Sequence, residues 1–409
     1  MNSTIKKWMT MDRDTPLHIS LTATNSHQIR IPAGQGSFSI GRIGMDRKKF
    51  DVLVDEDAEI DWNSFNSFYT PHGQQNAHLY PYGNWPRFFY YWGNDIGFVE
   101  WSKKRAIEDF FWQPSRSLCV DLNGAQIHNF SVKSNEEPIK LILDQKNVEN
   151  TLGLHSLHLS GEIELFEIIM TQEIPHIRIE PNTEKDQTAS TYHLPIIPDF
   201  EKIVSLDLIV KPLGPALDCE SLLQFPHLKN LNLTGNITNT ASLKQLHQLE
   251  RIGVRYAADL EGFPALGTWE NLISFIGWNI DGKTGKRLNA ELKQLAKVKQ
   301  LEYSSVSKLR SLIWFTSEYG IPFENWETKN AKIATKAYKA ALKEIIKAKT
   351  ESEVKLYIDQ FIAQINTLPN IETSEREDTG IAVQQLVEAS KFDIDQQKVN
   401  AWFDEIRDF

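Results

Sequence analysis

A six-residue phrase recurs along the middle of this chain and limits the fold more than any other feature. Aligned on the first apolar position, LHSLHL begins at Leu154, IPHIRI at Ile174, IVSLDL at Ile203, LKNLNL at Leu228, LERIGV at Leu249, LISFIG at Leu272 and VKQLEY at Val298. In most of the phrases apolar residues recur at the fourth and sixth places with a polar one between, the period of a strand with one buried face. A single strand cannot hide its apolar face alone, so similar units at near-regular spacing are expected to stack on one another. In the fourth unit Leu228, Leu231 and Leu233 should point into a core, while Asn230, Asn232 and Thr234 project away from it. Between phrases the spacing changes: Leu243, Leu246 and Leu249 recur at threes, and Leu288, Leu292, Leu295 and Val298 at threes and fours, which predicts short helices.

The seven phrases resemble the leucine-rich repeat family over roughly residues 139 to 320. The resemblance implies an α/β solenoid, a horseshoe whose concave strands grip another protein. The family's asparagine at the ninth place stands here only as Asn182 and Asn236, and Gly277 replaces an apolar residue in the sixth unit, so an irregular solenoid is expected. On this template the third, fifth and seventh places of each unit line the concave wall. The candidate partner-binding residues are therefore Arg178, Asp207, Asn230, Asn232, Arg251, Arg255, Trp278 and Glu302. Arg251, Arg255 and Trp278 are of the types enriched at interface hot spots and fall on adjacent units.

Three domains are expected: a β-rich aromatic N-terminal domain over residues 1–135, the repeat solenoid over 136–322 and an α-helical C-terminal bundle over 323–409. HISLTAT, QIRIPAG, SFSIGRIG and FDVLVDE alternate like strands between glycine, proline and asparagine turns. The aromatic stretch from Asp61 to Trp101 is expected to fill the core of a β-sandwich. A rival reading makes it the site of an enzyme or a carbohydrate- or peptide-binding protein, with a groove lined by Trp85, Tyr90, Tyr91 and Trp92. The pairs Thr350 with Glu353, Ser374 with Glu377 and Asp393 with Gln396 mark helix starts, and the bundle they open is expected to cap the last repeats.

No catalytic set, cofactor or metal site is expected. His72 and His78 in HGQQNAH lack the order of a metal motif, and AGQGSFSIG lacks the strand and helix around a dinucleotide loop. Cys119 and Asp121 resemble the CxD nucleophile motif of bacterial repeat-bearing ubiquitin ligases, but precede the repeats instead of lying in a helical domain after them. With 54 acidic against 44 basic residues and a formal charge of -10, the chain is a poor nucleic-acid binder. Its charge points to another protein as partner, one that could be basic; Asp55, Glu56, Asp57, Glu59 and Asp61 read as a solvated turn, with a docking patch for a basic partner as the alternative. Lys329, Lys332, Lys336, Lys339, Lys343 and Lys347 read as a solvated helix face. Cys119 and Cys219 suggest no disulfide framework, and neither a signal peptide nor an apolar run of about 18 residues is present, so no membrane span and a cytoplasmic location are expected. The expected function is a non-enzymatic protein-binding module, a bacterial immunity protein or an adaptor.

Overall fold

The structure, a computed structural model, describes residues 17–23, 26–32, 35–67, 87–143, 153–170, 174–183 and 190–408. The chain forms two compact units, Met1–Lys308 and Leu309–Phe409. The first opens with an antiparallel hairpin of β1 (Leu17–Ser20) and β2 (Gln28–Ile31). There follow β3 (Ser37–Arg42), β4 (Val52–Val54), β5 (Phe88–Tyr91), a short helix α1 (Gly97–Ser102), β6 (Ile107–Trp112), β7 (Leu118–Asp121), β8 (Ile127–Ser134) and β9 (Ile139–Ile142). The unit continues through β10 (Ser156–Gly161), β11 (Phe166–Ile169), β12 (His176–Pro181), β13 (Thr191–Tyr192), β14 (Ser205–Ile209), β15 (Ala216–Asp218), β16 (Asn230–Thr234) and β17 (Ile237–Thr238). It closes with β18 (Arg251–Arg255), β19 (Ser274–Trp278), the helix α2 (Gly282–Val298) and β20 (Ser305–Ser307).

Twelve of these strands make one parallel sheet in the order β20-β19-β18-β16-β14-β12-β10-β8-β6-β5-β3-β4. This α/β arrangement overturns the expected leucine-rich-repeat horseshoe beside a separate β-rich domain. Strands β3, β4, β5, β6 and β8, assigned by sequence to that domain, belong to the same sheet as the strands of the leucine-bearing phrases. The physical reason lies in the pleat: FxY and FxW share the period of LxL, so aromatic and aliphatic rungs can stack without a break. Phe38, Phe89, Phe110, Phe130, Leu157, Ile177, Leu206, Leu231, Ile252 and Phe275 occupy successive register positions. None of the ten is more than 2% exposed. Residue type changes along this stack while periodicity does not.

Chain order and sheet order differ at one edge, where β4 lies outside β3 and β5 returns to its other side. A buried amide joins the loops there: Asn94 donates to Asp57 at 2.9 Å and to Ser115 at 3.1 Å, and the Ser115 backbone donates to the Asn94 side chain at 2.9 Å. Short strands after the main rungs build two three-stranded parallel sheets, β7-β9-β11 and β13-β15-β17. Several connections are 3-10 turns, such as Cys219–Gln224 and Thr240–Gln245. Leucines spaced at threes suit that tighter turn, whereas threes and fours give the α-helix α2. This 17-residue helix, capped by Asp281, also displaces the seventh phrase. Val298 ends the helix 82% exposed, and the strand forms downstream with Ser305 opposite Ile276.

The second unit is helical, with α3 (Leu312–Tyr319), α4 (Thr328–Ile345), α5 (Glu351–Ile365), α6 (Thr373–Glu388) and α7 (Gln396–Ile406) around a core that includes Tyr338, Phe361, Ile362 and Leu386. Thr350 caps α5 through the Glu353 amide. The other two starts shift by two residues: Glu372 with Glu375 forms the box of α6, and Asp395 caps α7. In both cases the residue before the cap is an isoleucine, Ile371 or Ile394, packed against the core. Burial of that side chain selects among nearby polar caps.

Candidate functional site

The side of the main sheet opposite the buried stack carries half-buried polar and charged side chains in columns that follow the strand register. One column runs His158, Arg178, Asp207, Asn232, Gly253 and Ile276. Beside it lie Asn230, Arg251 and Ser274, and on the other side Thr234, Arg255 and Trp278. Seven of the eight sequence candidates thus share one face. The eighth, Glu302, lies beyond the strand positions expected for the seventh phrase but joins the face through Arg251, whose Nη2 and Nε reach its carboxylate at 2.7 and 3.0 Å. Arg251 holds the Glu302 carboxyl below its ordinary range.

Asp207 is the centre of the polar network. Its Oδ1 accepts from the Asn232 amide at 2.7 Å, and its Oδ2 lies 3.3 Å from His176 Nε2. The other ring nitrogen of His176 is 3.1 Å from Ser205 Oγ. Burial acts to raise the Asp207 carboxyl, but the bonds from His176 and Asn232, with the charge of Arg178, outweigh it and leave the group below its ordinary range. Gly253 makes room for this geometry, since a Cβ there would meet the Asn232 Oδ1 at 2.1 Å. One strand pair away, His158 lies 3.4 Å from Glu180 and, with the charges of Arg178 and Lys133, holds the Glu180 carboxyl below its ordinary range.

Aromatic rings flank this network. Trp278 meets Tyr256 edge to face at 5.0 Å. Toward the other end of the sheet, Trp92 packs on Phe111 at 5.0 Å and on Phe50 at 4.9 Å, beside the exposed Tyr90. Of the rings named in the rival reading, Tyr91 faces the core rather than a groove. Tyr91 is fully buried, and its hydroxyl accepts from the Asp95 amide; burial pushes its pKa up. Trp85 lies outside the described residues, as do His72 and His78.

The remaining sequence candidates lie on other elements. Cys119 is exposed on β7 with Asp121 at the strand end, and the Asp121 carboxylate accepts from the Asn123 amide. In the second unit Lys339 pairs with Glu318 and Lys347 with Glu344. Among the described residues no group of three His, Cys, Asp or Glu side chains could hold a metal, and no helix is long and apolar enough to cross a membrane.

A chemical motif hidden by the repeat pattern is GWNIDGKT, residues 277 to 284, which has the GxxxxGKT spacing of a phosphate-binding loop between a strand and a helix. Its signal is that spacing alone. In the structure Gly277 and Trp278 still pair within β19, and the Asp281 carboxylate takes the amides of Lys283 at 3.2 Å and Thr284 at 2.7 Å. Burial acts to raise the Asp281 carboxyl, yet those amides hold it below its ordinary range. A carboxylate therefore fills the position where a phosphate would sit. The adjoining cleft, about 660 Å³, is lined by Asp259, Glu261, Asp281 and Glu291 against Lys283 and Arg287, and Arg287 is already bound to Glu291 at 2.7 Å. The surplus of carboxylates opposes a nucleotide triphosphate.

No family model matches the chain, and neither a curated protein nor a solved structure does.

Proposed function

We propose that this protein is a non-enzymatic binding module that grips another protein with the polar face of its long parallel sheet. The observation that carries this reading is the gathering of Arg178, Asp207, Asn230, Asn232, Arg251, Arg255 and Trp278 on one face at adjacent register positions. Nine strands from β5 to β19, about 4.8 Å apart and about 16 Å long, project an area of about 700 Å². That is the scale of one side of a standard protein interface, about 800 Å². Cross-strand bonds such as Asn232 to Asp207 hold side chains in place before binding, which lowers the ordering cost of association. The burial of Tyr91 favours this face over a carbohydrate or peptide groove in the aromatic region.

A module of this kind serves as an immunity protein that occludes a toxin, or as an adaptor. The two cysteines without a disulfide suit a reducing cytoplasm. Arg251→Ala, Arg255→Ala and Trp278→Ala combined should abolish capture of the specific protein that wild type retains from its native lysate, identified by mass spectrometry. Capture of the same protein in the same yield by the triple variant would refute the sheet-face reading.

A further inference from the structure

Building on that reading of the sheet face, we infer that the partner presents an acidic segment whose carboxylates bind Arg178, Arg255 and Lys133. The two signs of charge on this face differ in how they are held. Its acids have partners within the fold: Asp207 binds Asn232 and His176, Glu180 binds His158, and Glu302 binds Arg251. The side chains of Arg178, Arg255 and Lys133 make no hydrogen bond or ion pair among the described residues, although the charge of Arg178 acts on Asp207 and Glu180 and that of Lys133 on Glu180. Arg178 is also partly buried, and its Nε is shielded from solvent without an acceptor. A partly buried guanidinium with no hydrogen-bond acceptor is satisfied best by an incoming carboxylate, which can take two of its N–H groups at once.

Geometry sets the length of the segment. Lys133 and Arg255 stand at the same register level five strand steps apart, so about 24 Å separates their backbones, with Arg178 between them on the neighbouring column. An extended segment of about seven residues spans that distance at about 3.3 Å per residue.

The formal charge of -10 argues for a basic partner at long range. Two facts reverse the preference at contact. At physiological salt that field is screened within about 8 Å, whereas a charge-assisted hydrogen bond acts at about 2.8 Å. The acidic cluster suited to a basic partner is also partly occupied: Glu56 binds Ser115 at 2.7 Å and Arg42 at 3.4 Å, and Asp57 binds Asn94 at 2.9 Å and Arg116 at 3.2 Å.

Fluorescence anisotropy of the full chain with a labelled Asp/Glu-rich peptide of about twelve residues, and with a Lys/Arg-rich peptide of equal length, tests this. The acidic peptide should bind and the basic one should not. Arg178→Gln and Arg255→Gln should each weaken binding about tenfold, the loss of one good charge-assisted contact. Lys133→Gln should weaken it less, and Lys336→Gln on α4 should leave it unchanged. Thermal melting of each variant confirms that the fold persists. No binding of the acidic peptide, tighter binding of the basic one, or equal binding by the Arg178→Gln, Arg255→Gln double variant would each overturn the proposal. The sheet-face reading is judged separately by the capture experiment above, so the face can stand while the acidic partner fails.

Discussion

Asn232 on β16 donates its side-chain amide to Asp207 on β14 at 2.7 Å, and the absence of a side chain at Gly253 on β18 leaves room for it to do so. The contact ties β14 to β16 at the centre of the polar face, in space left by β18. Asn232→Ala should destabilise the fold by about 1 kcal/mol, since His176 still faces the carboxylate. Gly253→Ala should displace the Asn232 side chain and cause a comparable loss. Urea unfolding of both variants and their combination measures this, and the double loss should fall short of the sum because both changes break one contact.

The unbroken inward stack predicts that the sheet is one folding unit across residue 135. A fragment of residues 1–135 would expose the paired edge of β8 where Ser156–Gly161 normally lies, and it should aggregate or remain unfolded. Residues 309–409, with their own buried core, should instead melt cooperatively when expressed alone. Circular dichroism melting of the two fragments distinguishes these outcomes. Within the stack, Leu231→Ala should cost about 2 to 5 kcal/mol and Phe110→Ala about 3 to 5 kcal/mol.

Acid should weaken the first unit in two stages. His128, stacked on His155 at 4.9 Å, has its pKa lowered from the ordinary 6.5 by burial and by the neighbouring His155 charge, with Asp109 opposing. Below pH 6.5 the unfolded chain therefore binds a proton that the fold resists, and stability falls as pH drops from there toward the folded value. Asp207 and Glu180 have folded values below their ordinary 3.8 and 4.5, so their contribution is full above those values and is lost as pH falls through the folded ones. Chemical denaturation from pH 8 to 3 should show both stages, and His128→Asn should remove the upper one.

The GWNIDGKT string has the spacing of a phosphate-binding loop, but the Asp281 carboxylate takes the helix amides there. Addition of magnesium ATP should leave the melting temperature of the full chain unchanged, because the Asp281 carboxylate occupies the helix amides. Asp281→Ala should lower stability by about 1 kcal/mol through loss of a helix cap. A thermal shift on ATP addition that disappears with Lys283→Ala would show that the loop does accept phosphate.

Period was the most readable part of the sequence. Alternation around Leu206, Leu231 and Ile252 identified strands and the residues projecting from them, and the face that gathers Arg178, Asn232 and Arg255 follows from that parity. Two things stayed hidden. The identity of Phe89 and Phe110 as rungs in the same stack as Leu157 was masked by residue type, since large rings also suit a separate sandwich core. The position of Glu302 depended on where α2 ended, and the apolar phrase around Val298 mimicked a strand. Which charges remain unpaired is a tertiary property: nothing local distinguishes Arg251, bound to Glu302, from Arg255.

A partner gripped by the polar face of the main sheet must lie within reach of Asn230. A photoreactive amino acid placed at Asn230 on that face, and separately at the exposed Glu167 on β11 in the second sheet, tests it most directly. With the captured protein bound and the sample irradiated, the account predicts a covalent adduct from position 230 and none from position 167. An adduct from position 167 with none from position 230 would contradict it.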